Sequence, residues 1–505
     1  MGFRSTYRTL LGGFSLTACA LLVPLALSCS SEDQGAANQG SGAAPFNQGN
    51  LPNQPGTSDV NQPTEGSGDG SEAPAQPSGT AANPSEGQPV NAPIADGQMA
   101  PPTAGEPTTE TPPTTETPPT QIPVVAAGTP ENSGADCNVS AAQLRQNTNL
   151  PDPFAMHDGT RITTKAQWEC RRNEIKKDIE QFEIGAKPEP PTVAATLNGN
   201  TLNVNVTTAA GSITLSSNVT RVNGATGPSC VAIGMGGPSS LINGCVQVPF
   251  NQNQVVNLNY NGQVNNNDPF YTVYPELRGR IANYSAWSWG ISRLIDGIDQ
   301  VKEQLNVDMT KIGVHGCSAS GKMALFGGAF DERVALTLVQ ESGGGGINSW
   351  RLSQAFTDRT GVQIEKIDNT NYSWFLQSMQ RQNPNMLPHD HHELIAMIAP
   401  RAVAIFGNRD YEWLGDESGY KSTKAAQEVW KALGAEANFG YDFTTGHPHC
   451  QAAQSQVNTA NAFVNKFLKD QDANTNIAIP PPTNGSATFD LDQTKVINWQ
   501  TPALL

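Results

Sequence analysis

One serine in this chain is set for nucleophilic chemistry. The run Lys311 to Lys322, KIGVHGCSASGK, carries Ser318 where a buried apolar stretch gives way to a helix-forming one. Gly316 and Gly321 and the small residues between them let a backbone turn sharply, which exposes a hydroxyl at the edge of a sheet. The second glycine comes one place later than in the G-x-S-x-G elbow, so the same residues also fit a serine-rich helix cap. An attacking serine needs a base, and the base needs a group to orient it. His449 in GHPHC (446–450) stands late enough in the chain to be that base, and His447 is its rival. For the acid, Glu341 ends an apolar stretch and opens Ser342 and four glycines, while Asp410 and Glu412 lie in GNRDYEW (407–413). The N–H of Ala319, at the start of the following helix, is the natural first oxyanion donor. Asp390-His391-His392 also gathers metal-ligating types, but no cysteine or carboxylate set at ligand spacing accompanies it, and no metal is expected there.

These residues need a frame, and the pattern supplies one. Trp168, Ile175, Ile179 and Phe182 recur near helical spacing within 166–182, and prolines at 188, 190 and 191 stop the run. Short alternating stretches at 201–207, 212–216 and 254–260 read as strands at the start of a sheet. From residue 286 the order becomes helix (Trp287, Ile291, Ile295, Ile298 and Val301 on one face), strand (311–315), helix (321–330) and strand (334–339). A strand at 399–406 and helices at 423–433 and 454–468 follow. Such alternation implies a parallel sheet covered on both sides; with the serine at a glycine-flanked turn, the expected fold is of the α/β-hydrolase type, a three-layer αβα sandwich with a mostly parallel central sheet.

The N-terminal part has a different composition. Arg4 and Arg8 precede an apolar run from Leu10 to Leu27, then Ser28, Cys29 and the polar Ser30 to Asp33, the order of an export signal. A small residue before Cys29 resembles the bacterial lipoprotein cleavage box, whose cysteine is acylated; residues 16–19 fit the box consensus more closely, but cutting there leaves apolar residues 20–27 on the mature chain. This implies an exported bacterial protein, either an outer-membrane lipoprotein facing the exterior or a secreted one. Residues 30–134 are rich in Pro, Gly, Ser, Thr and acids and read as an unfolded linker. The stretch 31–136 holds thirteen of the 46 acidic residues and none of the 30 basic ones, so most of the net charge of -16 belongs to the tether. No basic face argues for nucleic acid. The expected organisation is a signal at 1–29, a linker at 30–134, a catalytic domain at 135–470 and a tail at 471–505. Six cysteines remain after the signal, enough for three bridges.

With these residues placed, the chain resembles the glucuronoyl esterases over about 137–469. The segments that carry the likeness are LPDPF (150–154), TTKAQWEC (163–170), AWSWGISRLID (286–296), KIGVHGCSASGK, QESGGGG (340–346) with Trp350-Arg351, LPHDHHELIAMIAPR (387–401) and GHPHC. The resemblance implies Ser318 as nucleophile, His449 as base and Glu341 as acid. It implies Lys322, Gln363 and Trp413 as sugar contacts, with Asn371 where fungal relatives have a sugar-contacting glutamate. It also implies bridges Cys317–Cys450 and Cys137–Cys170, and leaves Cys230 with Cys245. The implied substrates are glucuronoxylan and lignin-carbohydrate esters, and such a polymer implies an open active-site cleft at the sheet's carboxyl edge, in a monomer without a cofactor. Most members have arginine directly after the serine, where this chain has Ala319. Losing one oxyanion donor costs about 10² to 10³ in turnover.

Overall fold

The computed structural model describes residues 125–483 and 489–505. The expected export signal, Cys29 and the linker up to residue 124 lie outside the described residues. Strands β1 (Thr192–Asn198), β2 (Thr201–Thr207) and β3 (Ser212–Asn218) form an antiparallel sheet of their own. The strands expected at 201–207 and 212–216 are thus present, paired in a sheet separate from the main one. Residues 254–260, expected as a strand, follow a 3-10 turn at Gln252–Gln254 and form an irregular loop. The cause is local. Asn251 accepts from the Asn253 N–H, Asn253 from the Leu258 N–H and Asp268 from the Asn257 N–H, so side chains take up groups that a ladder would use.

The main sheet contains β4 (Ser229–Gly234), β5 (Val246–Gln247), β6 (Val307–Cys317), β7 (Val334–Gln340), β8 (Ala402–Phe406), β9 (Phe439–Asp442) and β10 (Ala478–Ile479). Their order is β10-β9-β8-β7-β6-β4-β5, and every pairing is parallel. Strand β8 starts at Ala402 and not at 399, since Pro400 has no N–H for a ladder. The helices are α1 (Lys165–Ile179), α2 (Phe270–Val273), α3 (Asn283–Gln300), α4 (Lys302–Leu305), α5 (Ala319–Ala329), α6 (Trp350–Thr360), α7 (His391–Ala396), α8 (Asp416–Leu433) and α9 (Gln454–Lys469).

Alternation along the strands builds two cores. Val231, Ile233, Val403 and Ile405 join Trp287, Ile291 and Ile295 of α3 and Met323 and Phe326 of α5. Ala232, Ala402, Ala404 and Phe406 point the other way and pack on Phe463, Val464 and Phe467 of α9. Side chains that alternate between two covered faces make the three-layer sandwich, each large one contributing about 2 kcal/mol on burial.

The globular part is longer at both ends than its sequence pattern suggests. Val125 is buried in the α9-side core, and Glu131 pairs with Lys187, Arg293 and Arg333. At the other end β10 extends the sheet, the Leu504 N–H donates to Ala432 O at 2.9 Å, and the Leu505 N–H to Thr163 O at 3.1 Å. Among the described residues no helix is long and apolar enough to cross a membrane.

Candidate active site

The carboxyl ends of β6 and β7 and the loop after β9 converge on one point. Ser318 follows β6 directly and caps α5 with φ 59° and ψ -126°. Glu341 follows β7 with φ 45°, and Cys450, next to His449, has φ 65°. Among the described residues only Asn306 and Asp470 are other non-glycine residues with positive φ. Each such residue costs about 1 to 3 kcal/mol, so the surroundings must enforce the conformation. They do: the Ser318 N–H donates to Gln340 O at 3.0 Å, and the Glu341 N–H to Phe406 O at 2.8 Å. A Cβ at residue 316 would come within 2.1 Å of Ser320 O, so the turn requires Gly316.

The bridge Cys317–Cys450 ties the residue before Ser318 to the residue after His449. Cys137–Cys170 and Cys230–Cys245 are also bridged, so all three implied pairs are present. The Cys317 and Cys450 sulfurs and a ring nitrogen of His449 all lie within 4.8 Å of one another, a spacing that would suit a metal were the thiols not already joined.

Glu341 is fully buried and faces His449. Its Oε2 lies 2.6 Å from His449 Nδ1, and the carboxylate also accepts from the Cys450 N–H at 3.2 Å and Gln340 Nε2 at 3.3 Å. Nδ1 therefore carries the proton, and Nε2 is the nitrogen left to act as a base. The Tyr411 hydroxyl accepts from the His449 N–H at 2.9 Å, and the rings of Tyr411 and Trp413 stand 5.5 and 5.0 Å from the imidazole. The rivals have other partners, although His447 Nδ1 also comes within 3.9 Å of Glu341 Oε1. His447 Nε2 bonds to Thr444 O at 2.8 Å, and its Nδ1 lies 3.2 Å from both Asn408 Nδ2 and Pro448 O. Asp410 accepts from the Gly446 N–H at 2.5 Å and braces the loop backbone, while Glu412 is exposed.

Sequence reading misses Asp416, the first residue of α8. Burial first, and the charge of Glu341 second, push its carboxyl up to about 7. Asp416 is one of two adjacent acids, Asp416-Glu417, in the first turn of a helix, and nothing in that pattern sets it apart from a surface residue.

The Asp390-His391-His392 cluster is a buried brace. His389 and His391 bond to Glu183 at 2.8 and 2.7 Å, Arg351 pairs with Asp390 at 3.1 Å, and His391 Nδ1 bonds to Gly346 O in the glycine run after Glu341. Burial disfavours the Glu183 charge, but His391, together with the bonds from both rings, holds its carboxyl at about 2.

The implied sugar contacts divide into groups. Lys322, one turn into α5, is buried with its ammonium 5.0 Å above the Trp374 ring and 2.5 Å from Glu365. Trp413 is exposed beside His449. Asn371 uses Nδ2 on Asn259 O at 2.9 Å and accepts from the Ser373 N–H and hydroxyl at 3.0 and 2.7 Å. Gln363 is exposed and bonds back to Gly361 O at 3.4 Å.

Residues 204–434 match a family model described as glucuronyl esterase, fungi. The 4-O-methyl-glucuronoyl methylesterase of Schizophyllum commune is 37% identical over 390 residues, covering 75% of this chain and 98% of that protein. The glucuronoyl esterase catalytic domain from Hypocrea jecorina superposes with a TM-score of 0.65 at 36% identity, covering 72% of this chain and 99% of that one. A mutant glucuronoyl esterase from Sporotrichum thermophile, solved in complex with methyl 4-O-methyl-beta-D-glucopyranuronate, gives 0.68 at 33% identity, covering 73% and 100%.

Proposed function

Because the chain belongs to the glucuronoyl esterase family, we propose that it is a serine esterase that cleaves esters between glucuronic acid side chains of glucuronoxylan and lignin alcohols. Ser318 Oγ attacks the uronate carbonyl carbon and its proton passes to His449 Nε2. Glu341 holds Nδ1–H and balances the imidazolium, and the Ala319 N–H donates to the oxyanion. Collapse expels the alcohol, which takes the proton from His449. Water then gives a proton to His449 and attacks the glucuronoyl ester on Ser318, releasing glucuronate and the free serine. Lys322, Gln363, Trp413 and Asn371 are the residues this reading assigns to the sugar.

The observation that carries it is the 2.6 Å bond from His449 to buried Glu341, on a loop bridged to the residue before Ser318. The test compares wild type and Ser318→Ala on benzyl glucuronate, its methyl ester, and acetyl and feruloyl xylosides. Wild type should prefer the glucuronates, and the variant should lose about 10⁴-fold or more in kcat. Preference for an acetyl or feruloyl ester overturns the substrate, and sugar binding without hydrolysis overturns the reaction.

The same proposal makes residues 1–29 an export signal, Cys29 a lipidated anchor in a bacterial outer membrane, and the following stretch a tether for a monomeric catalytic domain. Mass spectrometry of the mature N-terminus tests it. An unmodified terminus downstream of Cys29 rules the anchor out.

A further inference from the structure

Lys322 would be a poor companion for a neutral ester if it stood alone. Its own N–H donates to Ser318 O at 3.0 Å, so it lies within one turn of the nucleophile. An unpaired ammonium there would attract the carboxylate that hydrolysis produces more strongly than the uncharged ester it consumes. Glu365 removes that bias, with its Oε2 2.5 Å from the Lys322 Nζ. The two partners differ in access: the Lys322 side chain is 5% exposed and that of Glu365 23%. The carboxylate is thus the member that solvent reaches.

The structure fixes Glu365 in place. Thr370 Oγ1 donates to its Oε1 at 2.7 Å. A Cβ at Gly344 would come within 2.4 Å of Glu365 O and 2.6 Å of its Cβ, so the glycine run after Glu341 lies directly on this residue. With one donor on each oxygen, the carboxylate retains acceptor sites. Asn371, by contrast, spends its amide oxygen on Ser373. Beside the pair, the rings of Trp374 and the 60% exposed Tyr260 meet edge to face with centroids 5.3 Å apart. A carboxylate with free acceptor sites next to an aromatic wall is how a pyranose with several hydroxyls is held.

We propose that Glu365 is a substrate-binding residue that accepts a hydroxyl hydrogen bond from the glucuronate ring and cancels the Lys322 charge, making the site take the neutral ester in preference to its own free-acid product. This rests on the glucuronate ester reading above. The test measures KM and kcat for methyl glucuronate, and inhibition by free glucuronate, in wild type, Glu365→Gln and Glu365→Asp. Thermal melting of each variant reports folding.

Removing the charged acceptor in Glu365→Gln should raise KM about tenfold with little change in kcat. Relative to KM, inhibition by glucuronate should tighten several-fold in that variant, and added salt should reduce this gain. Glu365→Asp keeps the charge and loses only the ring hydrogen bond, so KM and the glucuronate inhibition constant should rise together and their ratio should stay at the wild-type value. An unchanged KM in either folded variant overturns the proposal, as does the same change in the ratio of inhibition constant to KM in both variants. Wild type with no activity on the ester overturns the underlying reading instead.

Discussion

At the scale of single residues, His447 and His449 are indistinguishable in the sequence and are separated by what their rings touch. Both nitrogens of His447 are taken by loop groups, and its side chain is 7% exposed against 25% for His449. His449 meets a carboxylate on one side only, as a base must. Glu341→Gln should therefore leave the fold intact and lower kcat about 10³ to 10⁴-fold, because an amide can hold the imidazole in the wrong tautomer. Steady-state rates on a glucuronate ester check it. Asp416 extends the argument to pH. Its carboxyl stays protonated in the folded protein up to about 7, whereas its ordinary value is 3.8. A raised carboxyl contributes stability at low pH that is lost as pH rises through 7. Asp416→Asn should consequently gain about 4 kcal/mol over wild type at pH 8 and little at pH 4, read by urea unfolding at the two pH values.

At the scale of elements, the site is three loops that would splay without cross-ties. The Cys317–Cys450 bridge spans 133 residues and joins the elbow after β6 to the histidine loop. Replacing both cysteines with alanine should cost about 3 kcal/mol in unfolding free energy. It should also lower kcat more than it raises KM, since the strained Cys450 backbone would relax and take His449 away from Glu341. Melting curves and rates from the double variant test both parts, and unchanged rates would show that the loops are held otherwise. The elbow was legible because glycines, a long apolar strand and a helix coincide at 311–330. Glu341 is conspicuous because it ends an apolar strand next to glycines, but its choice over Asp410 and Glu412 rests on the family resemblance and not on local pattern. Strand β5 and strand β10, two residues each, are too short to leave a period, and the asparagine-rich 254–260 alternates like a strand while its side chains bond to the local backbone. The Lys322–Glu365 pair joins residues 43 apart, which no local pattern can reveal.

At the scale of the whole molecule, the boundary of the folded part is set by charge as well as by apolar periodicity. Composition places residues up to 134 in the linker, yet Glu131 reaches into a buried cationic cluster. Lys187, 3% exposed, lies 2.6 Å from it, and fully buried Arg293 bonds to its other oxygen. Burial opposes the Glu131 charge, but Lys187 and then Arg293 hold its carboxyl below the ordinary 4.5. Taking away one member of such a buried set leaves its partners uncompensated, so Glu131→Gln should cost about 3 kcal/mol at neutral pH. The sign with pH follows from the lowered value: a depressed carboxyl contributes stability above 4.5 that is lost as pH falls. The gap between wild type and variant should thus narrow between pH 7 and pH 3, as urea unfolding at each pH would show. Equal stability of the two proteins at pH 7 would mean that the segment around Glu131 rests on the domain without helping to fold it, and the catalytic unit would then begin where composition alone puts it.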